Sequence, residues 1–419
     1  MSLLFFAGGE CLTRHGVLVR RTSIEENVVE THTRTGTVGW FVDSSGVLRN
    51  SDAAVPRVDH VGGVPYLLLE EARTNDISQA MASWTWSNSA TWTNNTVGPD
   101  GGAATGLGVS HASGGGVSMR ATDTPAGTET ANTVQSFKVY AKAGDVNWCT
   151  IRLNRLDATL VQVYYDLANG VLGTVDAGAS GFINLVGNGW YECVATADIL
   201  TGGSSFALTI GPADADGDDT MAAAGAPYCY FYGAQVETDA PYVSSSIPTA
   251  GATRNADTFY ADFPHVPQEM TVYAKFIERG NSSIPSGGTD AYVMHIGTTD
   301  TTDPRFELFW DASQQGYAAG HDNGTITPVT GVPSGTIASG DTVELRAVLN
   351  ADGSMSIGQS INAGTETTAN TATTATLATA WAAQRLYINS LGGALYGVNA
   401  FAAVKVAAGT KTMAEMRAL

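Results

Sequence analysis

VQVYYDLANG, residues 161–170, decides the fold class. Val161 to Leu167 reads as a strand, and it runs into Ala168-Asn169-Gly170, an Asn-Gly reversal that signals a hairpin. Upstream, Val134, Phe137, Val139 and Tyr140 mark one strand, while Cys149, Ile151 and Leu153 alternate along the next. Downstream, Trp190-Tyr191 opens another, followed by Phe206–Ile210 and Tyr228–Val236. Short strands at this spacing predict an antiparallel sandwich of jelly-roll type over residues 78–246.

A second sandwich is predicted beyond a Ser-, Thr-, Pro- and Ala-rich linker, residues 247–260. Met270, Val272, Ala274 and Phe276 alternate, as do Phe306, Leu308 and Trp310. Val343, Leu345, Ala347 and Leu349 turn through Asn350-Ala351-Asp352-Gly353 into Met355 and Ile357. One helix is expected, at the carboxyl end of this 261–419 unit. Thr412 and Glu415 have capping-box spacing, and Met413, Met416 and Leu419 recur at helical intervals. The fold class is thus all-β: two antiparallel sandwiches, an N-terminal arm and hairpin region over residues 1–77, and a short C-terminal helix.

Within residues 1–77, Trp40-Phe41-Val42 and Val47-Leu48 flank the turn formers Asp43-Ser44-Ser45-Gly46. Pro65 opens Tyr66-Leu67-Leu68-Leu69, an apolar run suited to a strand buried on both faces. Glu70, Glu71 and Arg73 follow at once, and charges so placed form paired clusters at domain seams. Arg14, Arg20, Arg21 and Arg34 give the amino terminus an outsized share of the positive charge. Two readings stand for it, an arm docking on an acidic subunit and an ordinary first strand with polar edges.

Three segments carry a family resemblance. WFVDSSGVLRNSDAAVPRVDHVGGVPYLLLEEARTN (Trp40–Asn75) resembles a segment of structural proteins from tailed bacteriophages. NGWYECVATADI (Asn188–Ile199) and YFYGAQVETDAPYVSSSIPTAGATRNADTF (Tyr230–Phe259) resemble strands of the carbohydrate-module-like jelly roll found in such proteins, in the expected order. RLYINSLGGALYGVNAFAAVKV, with the hairpin before it, resembles concanavalin A-like (laminin-G-like) domains. The resemblance implies a head-fibre or tail-fibre type virion protein, assembled in the host cytoplasm. It further implies contact with other virion proteins through the N-terminal region, and a homo-oligomer with a trimer favoured.

Composition restricts the function classes. Lys and Arg total 21 against 40 Asp and Glu, a net charge of −19, which opposes binding to nucleic acid and to anionic membranes. The apolar run Leu3–Ala7 is too short for a signal peptide, and no stretch approaches the ~20 apolar residues of a membrane span. Of the four cysteines, Cys149, Cys193 and Cys229 lie in apolar or aromatic strand contexts. They read as buried thiols, with a Cys149–Cys193 or Cys193–Cys229 bridge as the alternative; Cys11 is isolated.

Catalytic constellations are sparse. Glu307 and Asp311 would share a strand face but stand about 13 Å apart at 3.3 Å per residue, beyond the roughly 5–9.5 Å of paired glycosidase carboxylates. The seven histidines are dispersed, and no GxSxG, HExxH or P-loop occurs. The expectation is therefore no enzyme and no required cofactor. Ca²⁺ is the one ion considered, at Asp214, Asp216 and Asp218 in DADGDD, where alternating carboxylates can converge. The glycine does not sit at an EF-hand position, and a solvated acidic loop is the plainer reading.

Glycan-contact candidates are Trp84, Trp86 and Trp92 in SWTWSNSATWTNN, where apolar rings stand beside hydroxyl and amide donors, and Trp310 with Tyr317 in the second sandwich. Two of the first three tryptophans are expected in the core. Trp190 is expected to be structural. The predicted function is host-surface or glycan adhesion by multivalent, non-catalytic binding. The alternatives are a purely architectural decoration, tail or baseplate subunit, and a polysaccharide-degrading enzyme.

Overall fold

The computed structural model describes residues 2–5, 30–34, 39–51 and most of 55–418; besides short gaps it leaves out 6–29, 35–38, 52–54, 112–120, 124–132, 201–206, 264–268, 279–289, 298–304 and 371–383. Cys11, Arg14, Arg20, Arg21, Glu71 and Leu419 therefore lie outside the described residues. The all-β expectation holds. The described strands form antiparallel sheets in two sandwiches, followed by a short helix, Met413–Ala418.

One six-stranded sheet of the first sandwich has the order Ala179–Gly187, Trp190–Ile199, Thr133–Ala143, Gly225–Glu237, Gly106–His111, Ala90–Thr96. It is called here the proximal sheet. The distal sheet has the order Val171–Val175, Leu160–Asp166, Trp148–Asn154, Ala207–Ala213, Ala121–Asp123, Thr85–Trp86. Between them Phe137, Val139, Ile151, Val163, Tyr165 and Phe231 form the core. The predicted reversal is present: Gly170 has φ +65°, and the Asp166 carboxylate accepts the Ala168 and Asn169 amides at 2.9 and 3.1 Å. Cys149, Cys193 and Cys229 are buried free thiols, the first of their two readings.

The second sandwich departs from the expected domain limits. Its larger sheet runs Thr367–Asn370, Met355–Ile361, Thr342–Leu349, Met270–Glu278, Val398–Ala408, Val64–Glu70, Arg57–Val61, with Ser2–Phe5 also paired to Val398–Ala408. The other runs Glu30–Thr33, Thr258–Phe263, Gln384–Ile388, Ala291–Gly297, Arg305–Asp311, Gly316–Asp322, Ile326–Val329. Within the region 1–77, the described strands at 2–5, 30–33, 57–61 and 64–70 do not form a separate arm but are built into the carboxyl-terminal sandwich. Val64–Glu70 is the doubly buried strand foreseen, and Leu67 and Leu69 enter the core with Val272, Phe276 and Leu345.

The first sandwich is accordingly an insertion. The chain leaves through Arg73–Thr74 and returns through Thr253–Arg254, and these two short strands pair (Thr74 with Thr253, Arg73 with Arg254) to make a two-stranded neck. The expected linker 247–260 holds one neck strand and the start of a sheet strand.

At the neck the anticipated seam of paired charges is present and buried. The side chains of Arg34, Arg57, Glu70, Arg254 and Asp257 are fully buried. Arg57 bridges Glu70 at 2.6 Å and also holds Asp257, while Arg34 reaches Asp257 at 3.1 Å. Arg254 lies 3.6 Å from Glu70, and the Ser245 amide donates to the same carboxylate at 2.5 Å. Burial opposes the ionised Glu70, yet Arg254 and Arg57 overcome it and bring its pKa down to about 2. Arg34, by its partners, is part of this seam.

The hairpin Gly39–Val42/Leu48–Ser51 caps the outer face of the proximal sheet, where Val42 and Leu48 pack with Tyr140, Val186 and Trp190. Trp190 is fully buried, and its indole N–H donates to the Val97 carbonyl at 3.0 Å, so its structural role holds. The capping box is formed as well. The Thr412 amide donates to Glu415 at 2.8 Å and the Glu415 amide to the Thr412 hydroxyl at 3.2 Å. Met413 and Met416 dock on Tyr273, Ala403 and Ala407.

Candidate functional site

The three clustered tryptophans differ in burial. Trp84 is buried in the first core. Trp86 is half-buried against that core, with its indole N–H donating to the Met81 carbonyl at 3.1 Å. Trp92 is different: it is 41% exposed, on the edge strand Ala90–Thr96, between the exposed Thr91 and Thr93. A flat apolar ring at the edge of the sheet, among the described residues, can stack on a sugar ring; Thr91 and Thr93 project from the opposite face of the strand, where the Thr91 hydroxyl donates to the Ser110 carbonyl at 3.3 Å.

Trp310 and Tyr317 are not ligand contacts. They meet edge-to-face at 5.1 Å inside the second core, and the Tyr317 hydroxyl donates to the buried Glu278 carboxylate. Trp310 alternates inward with Phe306 and Leu308, and Tyr317 is its cross-strand partner, which is why strand periodicity could not distinguish a core ring from an exposed one. Trp84 is corrected on the same ground of burial.

The acidic loop does not assemble an ion site. Asp214, Asp216 and Asp218 are exposed on a tight turn closed by the Asp218 amide on the Ala215 carbonyl at 3.1 Å. Asp216 accepts the Thr174 amide at 2.7 Å and its hydroxyl at 3.1 Å, whereas Asp218 accepts the Thr220 amide at 2.9 Å. Asp218 thus serves its own turn, while Asp216 ties the loop to the strand Val171–Val175. Among the described residues no three His, Cys, Asp or Glu side chains are grouped to hold a metal.

One polar constellation escaped the sequence reading. On the outer face of the smaller-strand sheet of the second sandwich, Tyr260, Tyr387, His295, Glu307 and Gly320 are successive cross-strand neighbours. His295 stacks on Tyr387 with ring centroids 5.5 Å apart, and Glu307 pairs with Arg305. Burial, then the nearby Arg305, lowers the His295 pKa to about 4, so the ring is neutral at pH 7. A side chain at Gly297 would strike the His295 ring, so that glycine makes room for it. His295 is fully buried, which makes the row a packed polar layer rather than an open groove. The signal was available in AYVMHIG and RFELFWD, but only once their register was known. Asp311 takes no part: it caps the following turn, accepting the Ser313 and Gln314 amides at 2.8 and 3.0 Å.

Comparisons with known proteins add little. No protein-family model matches the chain, and no curated protein matches it. Among solved structures, the mouse laminin alpha1 chain, domains LG4-5, is similar at 10% identity and a TM-score of 0.22, over 80% of this chain and 90% of that one. Among the described residues no helix is long and apolar enough to cross a membrane.

Proposed function

We propose that this protein is a virion surface structural protein that binds host-surface glycan without catalysis, several copies acting together. The observation that carries the reading is Trp92, an indole 41% exposed on a strand that ends its sheet among the described residues. The phage-type segments at Trp40–Asn75, Asn188–Ile199 and Tyr230–Phe259 support the virion setting. Multivalency would convert weak single contacts into firm attachment.

The test is binding of the purified protein to host cell-surface polysaccharide, comparing wild type with Trp92→Ala, with and without a Ca²⁺ chelator. Saturable binding that weakens about tenfold or more in the variant, equivalent to ~1.4 kcal/mol or more, supports the reading. Equal binding by both proteins, or none by either, removes Trp92 as the site. Independence from chelator is expected from the separate engagements of Asp216 and Asp218 in the acidic loop.

An architectural role is the second reading, favoured by exposed apolar side chains. Val171 is 49% exposed, Leu172 38% and Leu185 53%, on the adjoining edge strands Val171–Val175 and Ala179–Gly187. Apolar groups at such positions suit contact between subunits. Light scattering on wild type and on Leu185→Lys separates the readings: loss of an oligomer with glycan binding absent throughout favours architecture.

A further inference from the structure

Lys138, Gln235 and Glu237 meet on the outer face of the proximal sheet, beneath the chain segment Ser244–Ile247 that leaves the first sandwich. Lys138 and Gln235 are direct cross-strand partners, which sets their Cβ atoms ~5 Å apart on one face. All three are essentially sealed from solvent, at 1%, 0% and 0% exposure. The Gln235 amide nitrogen donates to the Glu237 carboxylate at 2.5 Å and to the Ser245 carbonyl at 3.2 Å. Its carbonyl oxygen accepts the Ile247 amide at 2.7 Å. The Lys138 ammonium donates to the Ser244 carbonyl, the oxygen that the Gln235 amide nitrogen approaches at 3.4 Å. It also lies 3.4 Å from a Glu192 carboxylate oxygen and 5.8 Å from the centre of the Tyr140 ring.

The arrangement has the parts of an acyl transfer. A primary amine and a carboxamide are confined as cross-strand partners and buried from solvent, which replaces a bimolecular encounter by a preset one. The amide carbonyl is polarised by a backbone N–H. The nitrogen that would leave rests on a carboxyl group. Burial raises the Glu237 pKa, against Arg73 and the Ser244 hydrogen bond, toward a group able both to take and to give a proton.

We propose that Lys138 and Gln235 join in an intramolecular isopeptide bond, with Glu237 relaying the protons. Lys138 passes its ammonium proton to Glu237, and the neutral Nζ attacks Cδ of Gln235. Glu237 protonates Nε2 and recovers the second Nζ proton as the Cδ–Nε2 bond breaks. The released ammonia takes that last proton from Glu237 and leaves as ammonium, so the amide forms and Glu237 returns to its carboxylate with no oxidant, reductant or second reactant. The bond would tie the strand Thr133–Ala143 covalently to Gly225–Glu237 beside the neck, where pulling force between the two sandwiches converges.

The test is mass spectrometry of the denatured full-length protein, followed by tryptic mapping. The expected result is an intact mass one ammonia below the sequence mass, loss of cleavage after Lys138, and a linked peptide pair joining Lys138 to Gln235. Glu237→Ala and Lys138→Arg should each restore the sequence mass. The peptide pair is decisive on wild type alone, whatever the folding of the variants. A wild-type protein at full sequence mass overturns the proposal. So does an ammonia loss that maps to an Asn-Gly succinimide at Asn169, Asn188 or Asn323, and so does a cross-link that persists in Glu237→Ala.

Discussion

Arg57 shows what a single buried charge controls in this chain. Its guanidinium bridges Glu70 on the neighbouring strand and Asp257 on the returning chain, and all three side chains are sealed from water. Removing it as Arg57→Ala leaves two carboxylates with the weaker partners Arg34 and Arg254, and breaking a buried pair costs about 3–5 kcal/mol. A guanidinium-chloride titration should move its midpoint accordingly. The pH dependence separates two residues. Glu70, lowered from 4.5 to about 2, contributes stability that is complete above pH 4.5 and lost as pH falls toward 2. His295, lowered from 6.5 to about 4, gives stability that is complete above pH 6.5 and lost on the way down to 4, because the unfolded chain takes up the proton first. Wild type should therefore weaken already between pH 6.5 and 4.5, and His295→Phe should flatten that upper limb while leaving the lower one. An unchanged upper limb in the variant would mean another group titrates there.

At the scale of elements, local chemistry was legible and pairing was not. The Asn169-Gly170, Asp43–Gly46 and Asn350–Gly353 turns were read from residue types alone, because positive φ and Asx hydrogen bonds are encoded within four residues. Gly170, at φ +65°, also lies against Tyr191, whose ring would be 2.6 Å from an added Cβ. Gly170→Ala should cost ~1–2 kcal/mol for the left-handed backbone alone, plus the displacement of that ring, measurable as a lowered Tm. The helix cap was equally local. Burial of Tyr66–Leu69 on both faces was also foreseen, but not its neighbour: Leu67 pairs with Phe401, more than three hundred residues away in sequence. Among the aromatic candidates, Trp92 and Trp310 look alike as sequence. Only register puts one on an edge strand and the other under Tyr317.

For the whole molecule, the inserted topology makes a strong claim about which parts can stand alone. The expected boundary would have allowed residues 261–419 to fold as a domain. The pairing says otherwise, because that fragment lacks Val64–Glu70 and Glu30–Thr33, the amino-terminal partners of Val398–Ala408 and Thr258–Phe263, and with them Leu67 and Leu69 of its core. It would also expose the edge of Val398–Ala408, and an unpaired apolar edge invites aggregation. We therefore expect residues 261–419 alone to be insoluble or molten. By contrast, a chain in which a tight Asn-Gly turn joins Thr74 to Thr253, omitting the inserted sandwich, should keep the second sandwich intact. Those two residues are already antiparallel partners, and a two-residue reversal spans such a pair. Size-exclusion chromatography and near-ultraviolet circular dichroism on both proteins decide the matter. A well-folded 261–419 fragment would return the amino-terminal strands to the role of a dispensable arm. Its failure beside a folded shortened chain would establish that both ends of this sequence build one domain and carry the other as an insert.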